Sequence, residues 1–246
     1  MNELAQRVAV IQERIDAARK RAGRPAGSVK LIGVTKTHPA EVIVDGYQAG
    51  LRLFGENRVQ EFAAKKEQLS SAMPDATWHL IGHLQSNKTQ RAAELFDAVE
   101  TVDSVKLAER LNNSAEQLNK KLEVLLEINV GGEGQKAGFA PISKDFEDVL
   151  RAAERLECLE IRGLMTVPPF RENVEDVRPF FRMLRELRDD IARRKLPRVH
   201  MDELSMGMSH DFEVAIEEGA TSVRVGSAIF GERPKIVATS AQKEEA

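Results

Sequence analysis

The chain has 246 residues, of which 42% are hydrophobic and 30% are charged, and it carries a formal net charge of −3 at pH 7. This composition predicts a soluble globular protein and excludes a disordered chain or a strongly basic nucleic-acid-binding surface. The chain starts without a basic segment followed by an apolar run, and its single cysteine, Cys158, fits a reducing compartment. We therefore expect a cytoplasmic protein that has neither a membrane nor nucleic acid as a partner.

Apolar residues recur at helical spacing from Leu4 to Ile15, and they predict a first helix that Gly23 and Pro25 terminate. Strand and helix patterns then alternate along the chain. The predicted strands cover residues 30–34, 53–54, 77–81, 98–102, 122–130, 159–167, 203–205 and 222–225. One helix opens at Pro39, and the clearest later helices cover residues 104–121, 143–156, 176–195 and 211–218.

This alternation predicts the α/β class and a single (β/α)8 barrel of the TIM type, with an extra N-terminal helix. We expect one domain over residues 1–240 and a frayed polar tail over residues 241–246. A doubly wound open sheet is the main alternative, but no G-x-G-x-x-G motif follows the first strand to support dinucleotide binding.

Polar residues follow several predicted strands, where active sites of β/α barrels lie. Lys36 follows the first strand, and its amine is a candidate for covalent attachment of an aldehyde cofactor, although most lysines are solvated surface charges. Asn57 follows the second strand, although a residue of this kind after a strand is more often a turn former or a helix cap. The prediction of a site rests on the convergence of these residues at one face. The five histidines show no metal-ligand spacing, so no metal site is expected.

The ends of the seventh and eighth strands predict a phosphate site, because barrels often hold phosphate between these loops. Ser209 follows the seventh strand, where it could also cap the helix that begins near Asp211. Gly226 and Ser227 follow the eighth strand and allow backbone amides to approach an oxyanion.

Arg224 alternates with apolar neighbours inside the eighth strand, which predicts that its side chain points into the barrel. A buried guanidinium must be paired. Its partner is either a ligand heteroatom or a structural carboxylate such as Glu203. An aldehyde-reactive lysine, phosphate loops and an inward arginine together suggest pyridoxal 5′-phosphate.

Six segments carry a resemblance to a known family. They are VTKT (34–37), FGEN (54–57), WHLIGHLQSNK (78–88), RGLMT (162–166), LSMGMS (204–209) and VRVGSAIFG (223–231). In this order they resemble the pyridoxal phosphate homeostasis proteins, the YggS/PROSC family, whose barrel is similar to the N-terminal domain of alanine racemase. The resemblance extends from about residue 31 to residue 231.

The resemblance implies roles for these residues. Lys36 carries the cofactor as a Schiff base, and Arg224 faces the ring nitrogen. Asn57 is assigned to the same cofactor site from its place at a strand end. The phosphate is held by Ser209 and by the backbone at Gly226 and Ser227. Lys136 resembles a lysine that this family places near the barrel mouth, so a second contact with the aldehyde stays open, and His83 is assigned no role.

Two functions remain after this reading. The first is a protein that buffers pyridoxal phosphate and delivers it to apo-enzymes, without established turnover and as a monomer. The second is a pyridoxal-dependent amino-acid racemase, which needs a second base. By resemblance to alanine racemase, that base would be a tyrosine from another subunit. The only tyrosine here, Tyr47, shares a helix face with Val42 and Ile43, which predicts a packing role. We favour the first function.

Overall fold

The computed structural model describes residues 3–134 and 136–231. Within these residues, eight parallel strands form a closed barrel in sequential order, and β8 pairs with β1. The strands are β1 (Lys30–Val34), β2 (Leu53–Glu56), β3 (Thr77–Leu80), β4 (Ala98–Val102), β5 (Leu122–Glu127), β6 (Leu159–Met165), β7 (Val199–Met208) and β8 (Ser222–Val225). The predicted barrel is therefore confirmed. The predicted tail, residues 241–246, lies outside the described residues.

Helices surround the barrel. They are α1 (Glu3–Arg21), α2 (Ala40–Gln48), α3 (Val59–Ala72), α4 (Thr89–Leu95), α5 (Val105–Gln117), α6 (Lys144–Ala152), α7 (Arg178–Arg194), α8 (Phe212–Glu217) and α9 (Ser227–Phe230). Short 3-10 turns cover Ser86–Lys88, Ala153–Arg155 and Val174–Val177. The extra helix α1 packs against α8, where Arg14 donates hydrogen bonds of 3.1 and 2.9 Å to both carboxylate oxygens of Glu213.

Two strands are longer than their apolar pattern predicted. The strand predicted over residues 53–54 continues to Glu56, and the one predicted over residues 203–205 covers Val199–Met208. In the extension of β2, Glu56 is fully buried and accepts a hydrogen bond from the side chain of Thr35. Apolar periodicity misses such residues because hydrogen bonds to buried partners replace the hydrophobic contacts.

Aromatic packing fixes the wall of the barrel near the second and third strands. The ring of Trp78 lies 5.0 Å from that of Phe54 and 4.4 Å from that of Phe62 on α3, measured between centroids. The next contact joins Phe62 to Phe96, at 4.8 Å. These four side chains are almost completely buried. Their packing holds α3 against β2 and β3, and Glu56 and Asn57 lie at the end of β2.

Helix caps and apolar faces explain the later helices. Ser104 accepts a hydrogen bond of 3.3 Å from the N–H of Leu107 at the start of α5, and Ser143 accepts one of 3.2 Å from Phe146 at the start of α6.

Among the described residues, no helix has the length and apolar composition needed to cross a membrane.

Candidate functional site

A cavity of about 410 Å³ opens at the C-terminal mouth of the barrel, where the strands end. All six residues predicted from the sequence line it: Lys36, Asn57, Ser209, Arg224, Gly226 and Ser227. Apolar contacts come from Val34, Ile81 and Val167. The structure thus brings together residues that are up to 191 positions apart in the chain, from 36 to 227. Their role in binding a ligand stays a prediction.

The turn that contains Lys36 is anchored to a buried carboxylate. Thr35 donates a hydrogen bond of 2.7 Å from Oγ1 to Glu56 Oε1, and Lys65 Nζ donates one of 2.9 Å to the same oxygen. The other oxygen, Glu56 Oε2, is buried without a hydrogen-bond partner. Burial raises the pKa of Glu56 above its ordinary value, although Lys65 and Thr35 act in the opposite direction.

Thr37, the residue after the lysine, has an unusual backbone conformation. Its φ of +66° lies in the left-handed region, which is unfavourable for a β-branched side chain. The N–H of Thr37 donates a hydrogen bond of 2.5 Å to Glu61 Oε1 on α3, while its own Oγ1 is buried without a partner. Glu61 therefore stabilises a strained turn directly beside Lys36.

Asn57 presents an unpaired acceptor at the cavity. Its Oδ1 atom is buried and has no hydrogen-bond partner, although Asn57 lines the cavity. The backbone of Asn57 approaches Gly82 so closely that a Cβ at Gly82 would lie 2.3 Å from Asn57 O. Only glycine fits at that position, so the packing of β2 against the loop after β3 fixes where Asn57 stands.

Ser209 does not cap the following helix, as one reading of the sequence suggested. The residue before α8 is Asp211, whose Oδ1 atom accepts a hydrogen bond of 2.7 Å from the N–H of Met208. This bond closes the turn after β7 around Ser209, which lines the cavity. Burial raises the pKa of Asp211, against the effects of the Met208 N–H and the charge of Arg224.

Gly226 allows the chain after β8 to pass close to β1. A Cβ at this position would lie 3.3 Å from Val34 Cβ and 3.4 Å from Val34 O. The chain then enters α9 at Ser227, so the backbone of both residues borders the cavity. A larger side chain at Gly226 would press against a wall of the cavity.

Arg224 is paired inside the barrel, but not by Glu203. Its Nη1 donates a hydrogen bond of 2.6 Å to Ser205 Oγ, and its Nη2 donates one of 2.7 Å to the carbonyl oxygen of Thr166. The nearest carboxylate oxygen of Glu100 is 3.9 Å from Nη1. Glu203 instead pairs with Lys30 at the other end of the barrel, at 2.5 Å. The alternation that pointed Arg224 inward is confirmed, and the suggested partner is wrong.

Sequence reasoning missed Glu100, which the barrel buries to 1% exposure in the middle of β4. Its Oε1 atom lies 2.7 Å from His79 Nδ1, and its Oε2 atom accepts a hydrogen bond of 2.5 Å from Ser205. Burial favours a higher pKa for Glu100, but the hydrogen bonds and the charges of His79 and Arg224 hold the pKa below its ordinary value. A lone carboxylate inside the apolar segment 98–102 was the available signal, since a buried charge requires partners.

A second and larger cavity, of about 940 Å³, lies at the opposite mouth of the barrel. It is bordered by α1 and by the N-terminal ends of the strands, and it contains none of the six predicted site residues. Its polar lining is largely engaged in pairs such as Lys30–Glu203 and Arg162–Asp202. The described residues contain no group of three His, Cys, Asp or Glu side chains arranged to hold a metal ion.

Comparisons with known proteins place this geometry in a family. Residues 7–234 match the family model of the alanine racemase N-terminal domain. The pyridoxal phosphate homeostasis protein of Aquifex aeolicus (strain VF5) is 46% identical over 228 residues, which cover 93% of this chain and 97% of that protein. The chain belongs to the pyridoxal phosphate homeostasis protein family. The resemblance seen in the six sequence segments is therefore confirmed.

Solved structures agree with this family assignment. The structure of PipY from Synechococcus elongatus PCC7942, with PLP bound, has a TM-score of 0.80 and 39% identity, and the match covers 93% of this chain and all of PipY (100%). An unknown protein from Bifidobacterium adolescentis has a TM-score of 0.85 and 38% identity, with coverage of 92% and 94%. Both are full-length matches to the barrel.

Two residues that the family resemblance left open lie outside the cavity lining. His83 is exposed, with its Nδ1 atom 3.4 Å from Asp103 Oδ2. Lys136 forms an ion pair with Glu133 in the loop after β5. Neither side chain therefore lines the cavity that contains Lys36.

Proposed function

We propose that this chain binds pyridoxal 5′-phosphate reversibly in the cavity at the C-terminal mouth, buffers the free cofactor and delivers it to apo-enzymes. The observation that carries the proposal is that the six residues predicted for this cofactor line one cavity. The bound cofactor supplies an aldehyde that condenses with an amine and releases water. The relatives named as homeostasis proteins and PipY with PLP bound support the same assignment.

The cavity fits this group in size and in chemistry. A volume of about 410 Å³ lies within the range typical of small-molecule sites. The buried and unpaired Oδ1 atom of Asn57 can accept a hydrogen bond from a ligand or from a water that the ligand retains. The close backbone at Gly226 leaves the space that a Cβ would fill.

Each lining residue has a distinct task in this proposal. Lys36 provides the amine for the covalent bond, and its turn is held by Glu56 and Glu61. Ser209 provides a hydroxyl donor for the phosphate, and the backbone N–H groups at Gly226 and Ser227 provide further donors. Arg224 uses two of its five N–H donors for protein oxygens, so further N–H groups can donate to the ring nitrogen.

A carrier fits the site better than a racemase. An arginine does not release its proton at ordinary pH, so it leaves the ring nitrogen unprotonated and the ring a modest electron sink. A racemase also needs a second base. Tyr47 is the only tyrosine of the chain, and its hydroxyl donates a hydrogen bond to Asp75, while its ring packs 4.1 Å from the Arg52 guanidinium. Tyr47 does not line the cavity.

The first experiment tests binding and attachment. Purified protein loaded with pyridoxal phosphate should show a visible absorbance band that borohydride bleaches, and peptide mapping should place the reduced adduct on Lys36. Lys36→Ala should lose the adduct and keep the fold, as judged by circular dichroism. Lys136→Ala is the control and should retain it. An adduct of equal yield in Lys36→Ala contradicts the assignment.

The second experiment separates carrier from enzyme. Loaded protein should activate an apo-enzyme that depends on pyridoxal phosphate, and the transfer should be measurable as recovered activity of the recipient. With L-alanine in deuterated water, exchange of the α-hydrogen and formation of D-alanine should be slow. Turnover of about 1–1000 per second would restore the racemase. By resemblance to this family, we expect a monomer in sedimentation.

A further inference from the structure

A chain of hydrogen bonds crosses the barrel interior beneath the cavity. It starts at His79 on β3, whose Nδ1 atom lies 2.7 Å from Glu100 Oε1. Ser205 on β7 donates a hydrogen bond of 2.5 Å to Glu100 Oε2 and accepts one of 2.6 Å from Arg224 Nη1. The chain therefore joins four strands and ends on the arginine that lines the cavity.

We propose that Glu100, acting through Ser205 and completed by His79, is the positioning residue that fixes Arg224 for the ring nitrogen. The inference rests on the proposed function, because it assumes that Arg224 meets the cofactor. Ser205 Oγ and Thr166 O occupy two different terminal nitrogens of Arg224, and two such bonds define the plane of a guanidinium. Ser205 has one hydroxyl proton. Glu100 takes that proton, so the oxygen of Ser205 faces Arg224 as an acceptor.

The negative charge near Arg224 does not by itself explain how its guanidinium is oriented. Glu100, Asp211 and Glu127 all oppose the effect of burial on the pKa of Arg224. Among the described residues, only Glu100 of these three carboxylates is also joined to Arg224 through a hydrogen-bonded side chain. Of the three carboxylates, Glu100 is therefore the one that can influence the orientation of the Arg224 guanidinium as well as its electrostatic environment.

A merely structural role would lower stability without changing how Arg224 is held. The test therefore needs variants that break the hydrogen-bonded link to Arg224 and control variants that leave this link in place. Ser205→Ala removes the link, and Glu100→Gln keeps the shape but removes the charge. His79→Leu removes the donor to Glu100, whereas His79→Asn retains a donor near the Nδ1 position. Glu218→Gln is the matched control, because Glu218 is a buried carboxylate held by Arg178, Arg182 and Arg185 away from the cavity.

The first measurement uses protein without cofactor, so it does not depend on the proposed function. The 15N NMR signal of the Arg224 Nε–H group, assigned with Arg224→Lys, reports how firmly the guanidinium is held. Hydrogen exchange at this group should be about two- to tenfold faster in Ser205→Ala and Glu100→Gln, as the loss of one hydrogen bond implies. Glu218→Gln and His79→Asn should exchange at the wild-type rate.

The second measurement uses the loaded protein. In Ser205→Ala, Glu100→Gln and His79→Leu, the absorbance maximum should move towards that of Arg224→Gln, and cofactor retention should be about two- to tenfold weaker. Attachment to Lys36 after borohydride should persist. If Ser205→Ala and Glu100→Gln match the wild type in both the exchange rate and the spectrum, the inference is wrong. A wild-type protein that forms no adduct overturns the proposed function instead. If one variant does not fold, the others still decide.

Discussion

Two carboxylates in the barrel interior are almost equally buried, yet their surroundings differ. Glu56 on β2 is 0% exposed and Glu100 on β4 is 1% exposed. Both donors to Glu56 meet one oxygen, and the other oxygen has no partner. Each oxygen of Glu100 has a partner of its own. The pKa of Glu56 is raised by burial, whereas that of Glu100 is lowered by its partners against burial. The number and distribution of partners, not depth, decide the direction in which the pKa of each carboxylate is shifted.

The two carboxylates support neighbouring walls of the cavity, because Arg224 lies on β8 and Lys36 follows β1, which pairs with β8. Glu100 supports the wall of Arg224 with a hydrogen-bond chain in which each member is satisfied. Glu56 supports the turn of Lys36, where Thr37 has a strained backbone and both Glu56 Oε2 and Thr37 Oγ1 lack partners. Strain and unpaired groups make local opening easier. In the proposed function, the wall that carries Lys36 is thus the adaptable one.

The largest effect should come from removing Glu100. Glu100→Ala leaves Arg224 and His79 in the interior without their carboxylate, which should lower the free energy of unfolding by about 3–5 kcal/mol. Glu56→Ala should cost less, about 1–3 kcal/mol, because Lys65 keeps Glu61 at 3.5 Å. Urea denaturation of the cofactor-free proteins measures both, with the exposed Glu116→Ala as the control. Equal losses for Glu56 and Glu100 would mean that depth, not pairing, sets the energy.

The proposed phosphate contacts lie in the loops after β7 and β8, so changes there should affect retention of the cofactor more than the fold. Ser209→Ala should weaken retention about ten- to a hundredfold, because a charge-assisted hydrogen bond contributes about 1.5–3 kcal/mol. Gly226→Val should be worse, since its side chain would meet Val34. Equilibrium dialysis against pyridoxal phosphate and pyridoxal measures this. Equal affinity for pyridoxal phosphate and pyridoxal would contradict the predicted phosphate site.

The sequence was sufficient for the barrel and for the six cavity residues, because strand ends of a parallel barrel converge by topology and long segments resembled one family. It was not sufficient for the partners of Arg224. Ser205 and Glu100 are 105 positions apart in the chain, and only the closed barrel brings them to 2.5 Å. A carboxylate such as Glu203 was as plausible by alternation, but it lies at the other mouth with Lys30. Periodicity gives the direction of a side chain, not its distance along the barrel axis.

The pH dependence of stability should have opposite signs for the two carboxylates. A raised pKa for Glu56 means that its contribution to stability is present below the unfolded pKa near 4.5 and is lost as the pH rises through the folded pKa. A lowered pKa for Glu100 means that its contribution is present above about 4.5 and is lost as the pH falls through the folded pKa. Each unit of difference corresponds to about 1.4 kcal/mol.

Replacement by glutamine removes each titration. The melting temperature of Glu56→Gln relative to the wild type should therefore increase as the pH rises above 4.5. That of Glu100→Gln should decrease as the pH rises towards 4.5 from the acid side. Thermal unfolding at closely spaced pH values checks both slopes. Slopes of the same sign would contradict the opposite pKa shifts of the two carboxylates.

The smallest effect should come from the turn beside Lys36. Glycine adopts the left-handed conformation of Thr37 without a steric cost, and it also removes the unpaired Oγ1, but it increases the freedom of the unfolded chain. Thr37→Gly should therefore change the free energy of unfolding by less than about 1 kcal/mol, on the stabilising side. Arg198→Gly, at an exposed residue with φ of +58°, is the control away from the cavity. If the constraint at Thr37 presents Lys36 to the aldehyde, the rate of covalent attachment should fall in Thr37→Gly and remain unchanged in Arg198→Gly, as stopped-flow absorbance can measure. A marked destabilisation by Thr37→Gly would show that contacts of the threonine side chain stabilise the turn. It would contradict the claim that the cavity wall beside Lys36 is strained.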